Sequence, residues 1–98
     1  MDIDFQLNGI HFIWNADKAS KNMQRHDGVS FQQAAEVFFD PFLKIVDVSP
    51  EDEERDAVIG MDRRWNLLFV VHIAFDDDAI RLISARKATR EERRYYEA

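Results

Sequence analysis

The chain has 98 residues, carries a formal net charge of −6 and contains no cysteine. Its length suits one small domain over residues 1–98, and the lack of cysteine excludes disulfides and thiol catalysis. The acidic total argues against a general nucleic-acid-binding protein, because such proteins usually carry a basic surplus.

The sequence predicts no membrane contact, since no apolar run reaches the roughly 18 residues that a membrane helix needs. The N-terminal stretch MDIDFQLNG lacks the basic-then-apolar layout of a signal peptide. Together with the absence of cysteine, these features lead us to expect a cytoplasmic protein.

The first predicted elements are a short strand and a helix. The segment HFIW at 11–14 has strand character, and Asn15 is placed to cap the N-terminus of the helix that follows. Gly28 is expected to end this helix, because glycine readily adopts the left-handed conformation found at helix C-termini.

A second short helix is predicted in SFQQAAEVFFD, residues 30–40. Ser30 and Gln33 have the spacing of a capping box, in which each side chain bonds the backbone N–H of the other residue. The pair Asp40-Pro41 is expected to end the helix, because proline disfavours helical backbone in the residue before it.

The remaining pattern is that of strands, predicted at 42–48, 55–61, 65–75 and 79–86. These segments are rich in β-branched and aromatic residues, and turn-like clusters separate them. Because such short links join antiparallel neighbours, we expect a meander. The acidic runs PEDEE and FDDDA lack the alternating ligand pattern of an EF-hand and are interpreted as solvated turns.

The last predicted element is a helix that begins at Thr89, with Glu92 again at capping-box spacing. The resulting order is β-α-α-β-β-β-β-α, an α+β fold with one antiparallel sheet and helices packed against it. Residues 81–98 hold six basic groups against three acids, so the tail is a basic pole on an acidic body.

The sequence contains no signature of a metal site or cofactor site. The histidines, His11, His26 and His72, lie far apart without partners at ligand spacing, and no glycine-rich phosphate loop occurs. His26 is interpreted as a helix-end residue that favours the helix dipole, with a catalytic base as the alternative. His72 is interpreted as a hydrogen-bonded core residue, with an active-site residue as the alternative.

Arginine is the residue type with the clearest chemical potential. Arg55 opens one predicted strand, and Arg81 and Arg86 lie in the last strand. A guanidinium group matches a phosphate well, because its planar fork donates two hydrogen bonds at once. We expect Arg81 and Arg86 on opposite faces of their strand, because their spacing is odd. The alternative is that these arginines pair with neighbouring acids.

The final helix places two tyrosines beside acidic residues. Glu92 and Tyr96 are four positions apart and share a face, as do Glu91 and Tyr95. One tyrosine is expected to pack its ring on the sheet. The other is free to offer its hydroxyl group, or its ring for base stacking.

Three ordered groups of residues match the pattern of one known protein family. The first group is Phe12, Trp14, Lys18, Asn22 and His26, followed by GVSFQQAAEVF before Asp40-Pro41. The second is Glu54, Arg55 and Gly60, followed by LLFVVH. The third, IRLISARKATREERRYYE, is close to the family's Ile-Ser-Ala-Arg-Lys-Ala-Thr ending. With these three groups the chain resembles the BrnT-type toxins of bacterial type II toxin–antitoxin pairs. The resemblance covers nearly the whole chain beyond the first ten residues, with Asp27 as an additional residue.

The resemblance implies a RelE-like fold, with a single antiparallel sheet of four to five strands, two N-terminal helices and one C-terminal helix. It also implies a ribonuclease toxin that cleaves RNA and halts translation. The implied partner is a ribbon-helix-helix antitoxin of the BrnA type, which contacts operator DNA and bridges two toxins in a heterotetramer.

The residues fit a metal-independent mechanism in which the ribose 2′-hydroxyl attacks the adjacent phosphorus and fixed cations stabilise the added charge. Matches to the family's arginine positions assign Arg55 and Arg86 to the phosphate. Because arginine is a poor general base, the candidates for proton transfer are Tyr96, Glu92 and His72. The residues expected to bind flanking RNA are Arg81, Lys87 and Arg90.

Two other functions remain open from the sequence. The acidic body fits an antitoxin-binding module with weak catalysis that acts as co-repressor of its own operon. The composition alone fits a structural α+β domain whose basic helix is a solvated surface. RNA cleavage that depends on the arginines would separate the toxin hypothesis from both.

Overall fold

A computed structural model of the chain describes residues 1–47, 55–74 and 79–98. In chain order its elements are β1 (Asp2–Leu7), β2 (Ile10–Asn15), α1 (Ala16–Arg25), α2 (Phe31–Glu36), a 3-10 turn (Val37–Phe39), β3 (Lys44–Asp47), β4 (Asp56–Met61), β5 (Leu67–Ala74), β6 (Ala79–Lys87) and α3 (Arg90–Glu97). The acidic run PEDEE, interpreted as a solvated turn, lies outside the described residues. The same holds for the run FDDDA except for its last residue, Ala79. None of these helices is long and apolar enough to cross a bilayer.

The strands form one mixed sheet in the order β1-β2-β6-β5-β4-β3. The predicted antiparallel sheet of four to five strands is therefore wrong in two respects. Six strands are present in the described ranges, and β2 pairs with β6 in parallel, with Phe12 opposite Ile80. The parallel pair arises because β2 leads into the helices, and a long connection brings β6 back beside it. The predicted meander is confirmed for β3 to β6.

The strand β1 was not predicted from the sequence, so the observed element order also differs from the predicted one. It forms a hairpin with β2, closed by Asn8 and Gly9 at φ angles of 51° and 83°. A two-residue hairpin turn with both φ angles positive favours the dipeptide Asn-Gly, which is the strongest short-range hairpin signal. Along β1 the half-buried residues Ile3, Phe5 and Leu7 pack on the core, and the residues between them are exposed.

The predicted helix caps are confirmed in their chemistry. The side chain of Asn15 accepts from the N–H of Lys18 at 3.0 Å, and the reciprocal capping bonds of Ser30 with Gln33 are 3.0 and 3.1 Å long. The helix α1 ends at Arg25, and the N–H of Gly28 donates to the carbonyl of Met23 at 2.8 Å. This bond closes the helix end as expected for a glycine in left-handed conformation.

The sheet is covered on its two faces by different helices. Val58 and Val70 belong to the main core under α1 and α2, with Phe12, Trp14 and Phe31. Their neighbours Ile59 and Phe69 pair with each other across β4 and β5 and point to the opposite face, because side chains alternate along a strand. The helix α3 packs against this second face, which we call the α3 face.

Candidate functional site

A bulge in β6 brings Arg81 and Arg86 to the same face of the sheet. Arg86 is opposite Phe69 and Arg81 is opposite Ile73, and the register between β5 and β6 shifts by one residue at Val71/His72. Phe69 and Ile73 are four residues apart and share a face, so their partners share it too. The expectation that the two arginines point to opposite faces is wrong, because the extra residue of the bulge cancels the odd spacing.

Arg86 is held on the α3 face by an acid and an aromatic ring. Its guanidinium donates to both carboxylate oxygens of Glu92 at 2.8 and 2.9 Å, and it lies 4.3 Å from the centroid of the Phe69 ring. The bond to Glu92 raises the pKa of Arg86, and the bond from Arg86 lowers the pKa of Glu92 below its usual value. The guanidinium is therefore fixed in position but shares its charge with one carboxylate.

The same carboxylate caps the final helix, as the sequence predicted. Glu92 accepts from the backbone N–H of Thr89 at 2.9 Å, and the Thr89 hydroxyl accepts from the N–H of Glu92 at 3.1 Å. One side chain thus starts α3 and aligns Arg86, so the position of the helix and the position of the cation are coupled.

Tyr96 is anchored by Asp40, the residue that follows the 3-10 turn. Its hydroxyl donates to Oδ2 of Asp40 at 2.5 Å. Burial raises the pKa of Tyr96, and the hydrogen bond and negative charge of Asp40 raise it further, to about 12. Tyr95 is half exposed, and its hydroxyl lies 3.5 Å from the carbonyl of Ile45. Tyr96 is therefore held through its hydroxyl group, whereas Tyr95 lies beside Val46, Ile59 and Phe69 of the sheet.

His72 lies on the core face, opposite to the face that carries Arg86. It is opposite Leu82, a core residue, and its ring meets Phe38 edge to face at 4.9 Å. Burial lowers the pKa of His72, and the nearby charge of Asp56 offsets part of this effect. Its Nδ1 atom has no hydrogen-bond partner in the described part of the chain. The position agrees with the interpretation of His72 as a core histidine, but within the described residues Nδ1 does not make the expected hydrogen bond.

Arg55 and Arg86 lie in separate parts of the sheet. Arg55 precedes β4 and is four residues from Ile59, a separation of roughly 13 Å along a strand, whereas Arg86 is two strands away at the level of Ile59. Arg81 donates to the carboxylate of Asp2 at 2.7 Å. The remaining predicted RNA contacts are exposed, with Lys87 at the end of β6 and Arg90 at the start of α3.

A basic pocket between α1 and the middle of β6 was not predicted. It has a volume of about 360 Å³ and is lined by Lys18, Lys21, Asn22, Arg25, His26, Arg55, Ile83 and Ser84. We call this the α1 pocket. Arg55 and Ser84, which lies two residues before Arg86 on β6, both line this pocket. The spacing of 18, 21, 25 and 26 on one helix was the sequence signal, since residues three, four and seven apart share a face.

Asn22 fixes this helix to the strand. Its side-chain amide donates to the carbonyl of Ala85 at 2.8 Å and accepts from the N–H of Ala85 at 3.1 Å. The amide also donates to the carbonyl of Val29 at 3.1 Å. Asn22 is buried and therefore acts as a peptide-like partner for β6 where β2 has left the sheet.

No group of three or more histidine, aspartate or glutamate side chains at metal-binding geometry occurs within residues 1–47, 55–74 and 79–98. Some of the described acids are already engaged in hydrogen bonds. Asp62, for example, accepts from the side chains of Gln33 and Asn66 at 3.1 and 2.9 Å and organises the turn between β4 and β5.

Comparison with known proteins agrees with this architecture. The family model described as the ribonuclease toxin BrnT of type II toxin–antitoxin systems matches residues 14–92. The structure of this chain is similar to the 1.1 Å crystal structure of the Brucella abortus ribonuclease toxin BrnT. The TM-score of this match is 0.60 and the sequence identity is 20%. That match covers 79% of this chain and 94% of the other. No curated protein shows significant sequence similarity. Because the family model spans most of its length, the chain belongs to the BrnT family of ribonuclease toxins of type II toxin–antitoxin systems.

Proposed function

We propose that this protein is an endoribonuclease toxin that cleaves RNA and thereby inhibits translation in the cytoplasm, as one domain over residues 1–98. The observation that carries the proposal is the placement of Arg81 and Arg86 on one face of the sheet, which the β6 bulge produces. Ser84 lies between them on that face and also lines the α1 pocket with Arg55. A strand of RNA laid across β6 would meet cations at several successive phosphates.

In the proposed mechanism the ribose 2′-hydroxyl attacks the adjacent phosphorus, and no metal ion is required. The phosphoryl oxygens gain negative charge, and guanidinium groups held in place before reaction stabilise that charge. We assign this role to Arg55 and Arg86. Since the two lie in separate parts of the sheet, Arg55 contacts the reacting phosphate directly, and Arg86 binds the adjoining phosphate and stabilises the charge from there. Arg81, Lys87 and Arg90 bind the flanking backbone.

The contacts divide the proton-transfer candidates. The hydroxyl of Tyr96 is engaged with Asp40, so we propose that Tyr96 anchors α3. Glu92 bonds Arg86 through both oxygens, so we propose that it positions this arginine. His72 is buried on the core face, away from Arg86, and we leave it out of the mechanism. We therefore assign the proton transfer to none of these three residues, and another group must perform it.

Membership of a type II family implies an antitoxin partner. We propose that this partner is a ribbon-helix-helix protein of the BrnA type that neutralises the toxin, and that its dimer bridges two toxins. The complex would contact operator DNA only through the antitoxin. Isolation of a complex with two copies of each chain would support this assembly.

The test of the proposed function is expression of the toxin without its antitoxin. Wild type should arrest growth and degrade RNA in the cell, whereas Arg55→Ala and Arg86→Ala should be harmless. Purified wild type should cleave RNA in the presence of a chelator. Arg64→Ala, which removes an exposed arginine on the β4–β5 turn, is the matched control and should remain toxic. A wild type that leaves growth and RNA unaffected would refute the proposal.

One observation favours the co-repressor alternative. The guanidinium of Arg86 is already paired with both oxygens of Glu92, so its charge is partly neutralised before any RNA arrives. A protein of this kind would bind its antitoxin tightly and enhance operator binding while showing no nuclease activity. Cleavage at a normal rate that is lost in Arg86→Ala would contradict the alternative.

A further inference from the structure

We infer that the α1 pocket holds the reacting ribose and phosphate of the RNA, and that His26 accepts the proton of the attacking 2′-hydroxyl. The inference rests on the proposed ribonuclease function and supplies the proton-transfer group that Tyr96, Glu92 and His72 do not. It assigns phosphate binding to Lys18, Lys21 and Arg25, together with Arg55.

The first support is the basic stripe of α1. Lys18, Lys21 and Arg25 are three and four residues apart and therefore share one face of the helix. In an amphipathic helix a stripe with this spacing is usually apolar and faces the core. Here the three side chains line the α1 pocket, and none of them forms an ion pair within the described residues. Their mutual repulsion is relieved when an anion occupies the pocket.

The second support is the rigid attachment of this stripe. Asn22 lies within the stripe and is bonded to both backbone groups of Ala85, the residue between Ser84 and Arg86. The helix that carries these cations therefore keeps a fixed position relative to β6. Groups that are positioned before reaction stabilise developing charge more effectively than groups that must reorganise. The pocket is therefore suited to stabilise negative charge that develops on a single phosphate.

The third support is the position of His26. Its N–H donates to the carbonyl of Asn22 and its carbonyl accepts from the N–H of Val29, both at 3.0 Å. Its half-buried side chain lines the pocket, and no hydrogen bond of its ring nitrogens is found in the described ranges. The next residue, Asp27, adopts a φ of 53°, which is uncommon outside glycine. The backbone thus turns sharply directly after His26, whose imidazole lines the pocket.

The proposed step needs one group that accepts the 2′-hydroxyl proton and one that protonates the leaving 5′-oxygen. His26 is the first group, and water is the second. A neutral ring nitrogen of His26 accepts the 2′-hydroxyl proton while the 2′-oxygen forms a bond to phosphorus. The bond between phosphorus and the 5′-oxygen breaks, and the 5′-oxygen takes a proton from water. Protonated His26 returns its proton to the hydroxide. The products are a 2′,3′-cyclic phosphate and a 5′-hydroxyl, and imidazole suits the transfer because it exchanges protons near neutral pH.

The test is steady-state cleavage of a labelled single-stranded RNA by the purified full chain across a range of pH. His26→Ala should lower kcat by roughly 10²- to 10⁴-fold, the usual contribution of a general base, with little change in KM. Its rate should also lose the acidic limb of the wild-type pH profile. His11→Ala removes a histidine of the β1–β2 hairpin and should match wild type. His26→Gln keeps a polar side chain and serves if His26→Ala does not fold.

The cations are tested by the salt dependence of RNA binding. Lys21→Ala and Arg25→Ala should each raise KM and reduce the slope of log affinity against log salt by about 0.7, the value for one phosphate contact on a single strand. Arg64→Ala, outside the pocket, should leave that slope unchanged.

Two outcomes overturn the inference, and they are distinguishable. If wild type cleaves RNA while folded His26→Ala keeps its kcat and pH profile, the inference fails and the proposed function stands. If wild type does not cleave RNA at all, the proposed function fails and the assignment of His26 falls with it.

Discussion

The hydroxyl of Tyr96 donates a hydrogen bond to Oδ2 of Asp40 at 2.5 Å, across 56 positions of sequence. The same oxygen accepts from the N–H of Met61 at 2.8 Å, and Oδ1 accepts from the N–H of Phe42 at 2.9 Å. Burial opposes the ionisation of Asp40, but these bonds outweigh it and lower the pKa of the carboxyl group. One carboxylate thus ties α3 to β4 and to the start of the segment leading into β3.

Removal of this hydroxyl should loosen the final helix. Tyr96→Phe leaves Asp40 without one partner, and the loss of a bond to a charged group should lower the free energy of unfolding by roughly 1–3 kcal/mol. Urea denaturation measures the change. Tyr95→Phe is the matched control, because Tyr95 is half exposed and its hydroxyl makes only a 3.5 Å contact. Equal stability of the two variants would show that the Asp40 bond does not hold α3.

His72 should make the protein less stable in mild acid. Burial lowers the pKa of His72 below its ordinary value of 6.5, and Asp56 offsets only part of the shift. As the pH falls below 6.5, the unfolded chain binds a proton that the folded protein resists, so stability is lost through this window. Comparison of urea denaturation at pH 7 and pH 5 with the same data for His72→Leu tests this. A variant whose stability falls as steeply as that of wild type would contradict it.

Trp65 should be replaceable by glycine with a gain in stability. It has a φ of 67°, and its side chain is 81% exposed. The left-handed conformation costs a residue with a Cβ about 1–2 kcal/mol, and glycine avoids most of this cost. Trp65→Gly should raise the melting temperature, whereas Arg64→Gly, at a neighbouring position without positive φ, should lower it. A lower melting temperature for Trp65→Gly would show that the indole contributes packing that its exposure does not reveal.

Glu92→Gln should separate the alignment of Arg86 from proton transfer. Glutamine also completes a capping box, so α3 keeps its N-terminus, but Arg86 loses its counter-charge. We expect RNA to bind more tightly, with a lower KM, while kcat changes little. A fall in kcat of roughly 10²-fold or more, as expected for loss of a general base, would mean that Glu92 itself transfers the proton.

Local chemistry predicted much of the fold from sequence alone. The caps by Asn15, Ser30 and Thr89 depend on residues within three positions and were correct. The strand β1 was missed although Asn8-Gly9 carries its turn signal. By contrast, the parallel pairing of β2 with β6 depends on tertiary packing, and no short-range pattern reports it.

The site was predicted only in part, because it depends on register and on distant parts of the chain. The bulge that turns Arg81 and Arg86 to one face appears only when β6 is aligned with β5. The α1 pocket joins residues 18–26 with Arg55 and Ser84, and neither their proximity nor the role of Asn22 follows from spacing. The pairing of Arg86 with Glu92 matches the alternative that the arginines pair with neighbouring acids, and phosphate binding by Arg86 stays a prediction.

The most direct test of the account is analysis of the ends produced from a defined single-stranded RNA by the purified protein. Attack by the 2′-hydroxyl predicts a 2′,3′-cyclic phosphate and a 5′-hydroxyl, and no cleavage where the ribose is replaced by deoxyribose. Arg55→Ala and Arg86→Ala should greatly reduce this cleavage. Products with 5′-phosphate ends, or equal cleavage at the deoxyribose position, would contradict the proposed chemistry.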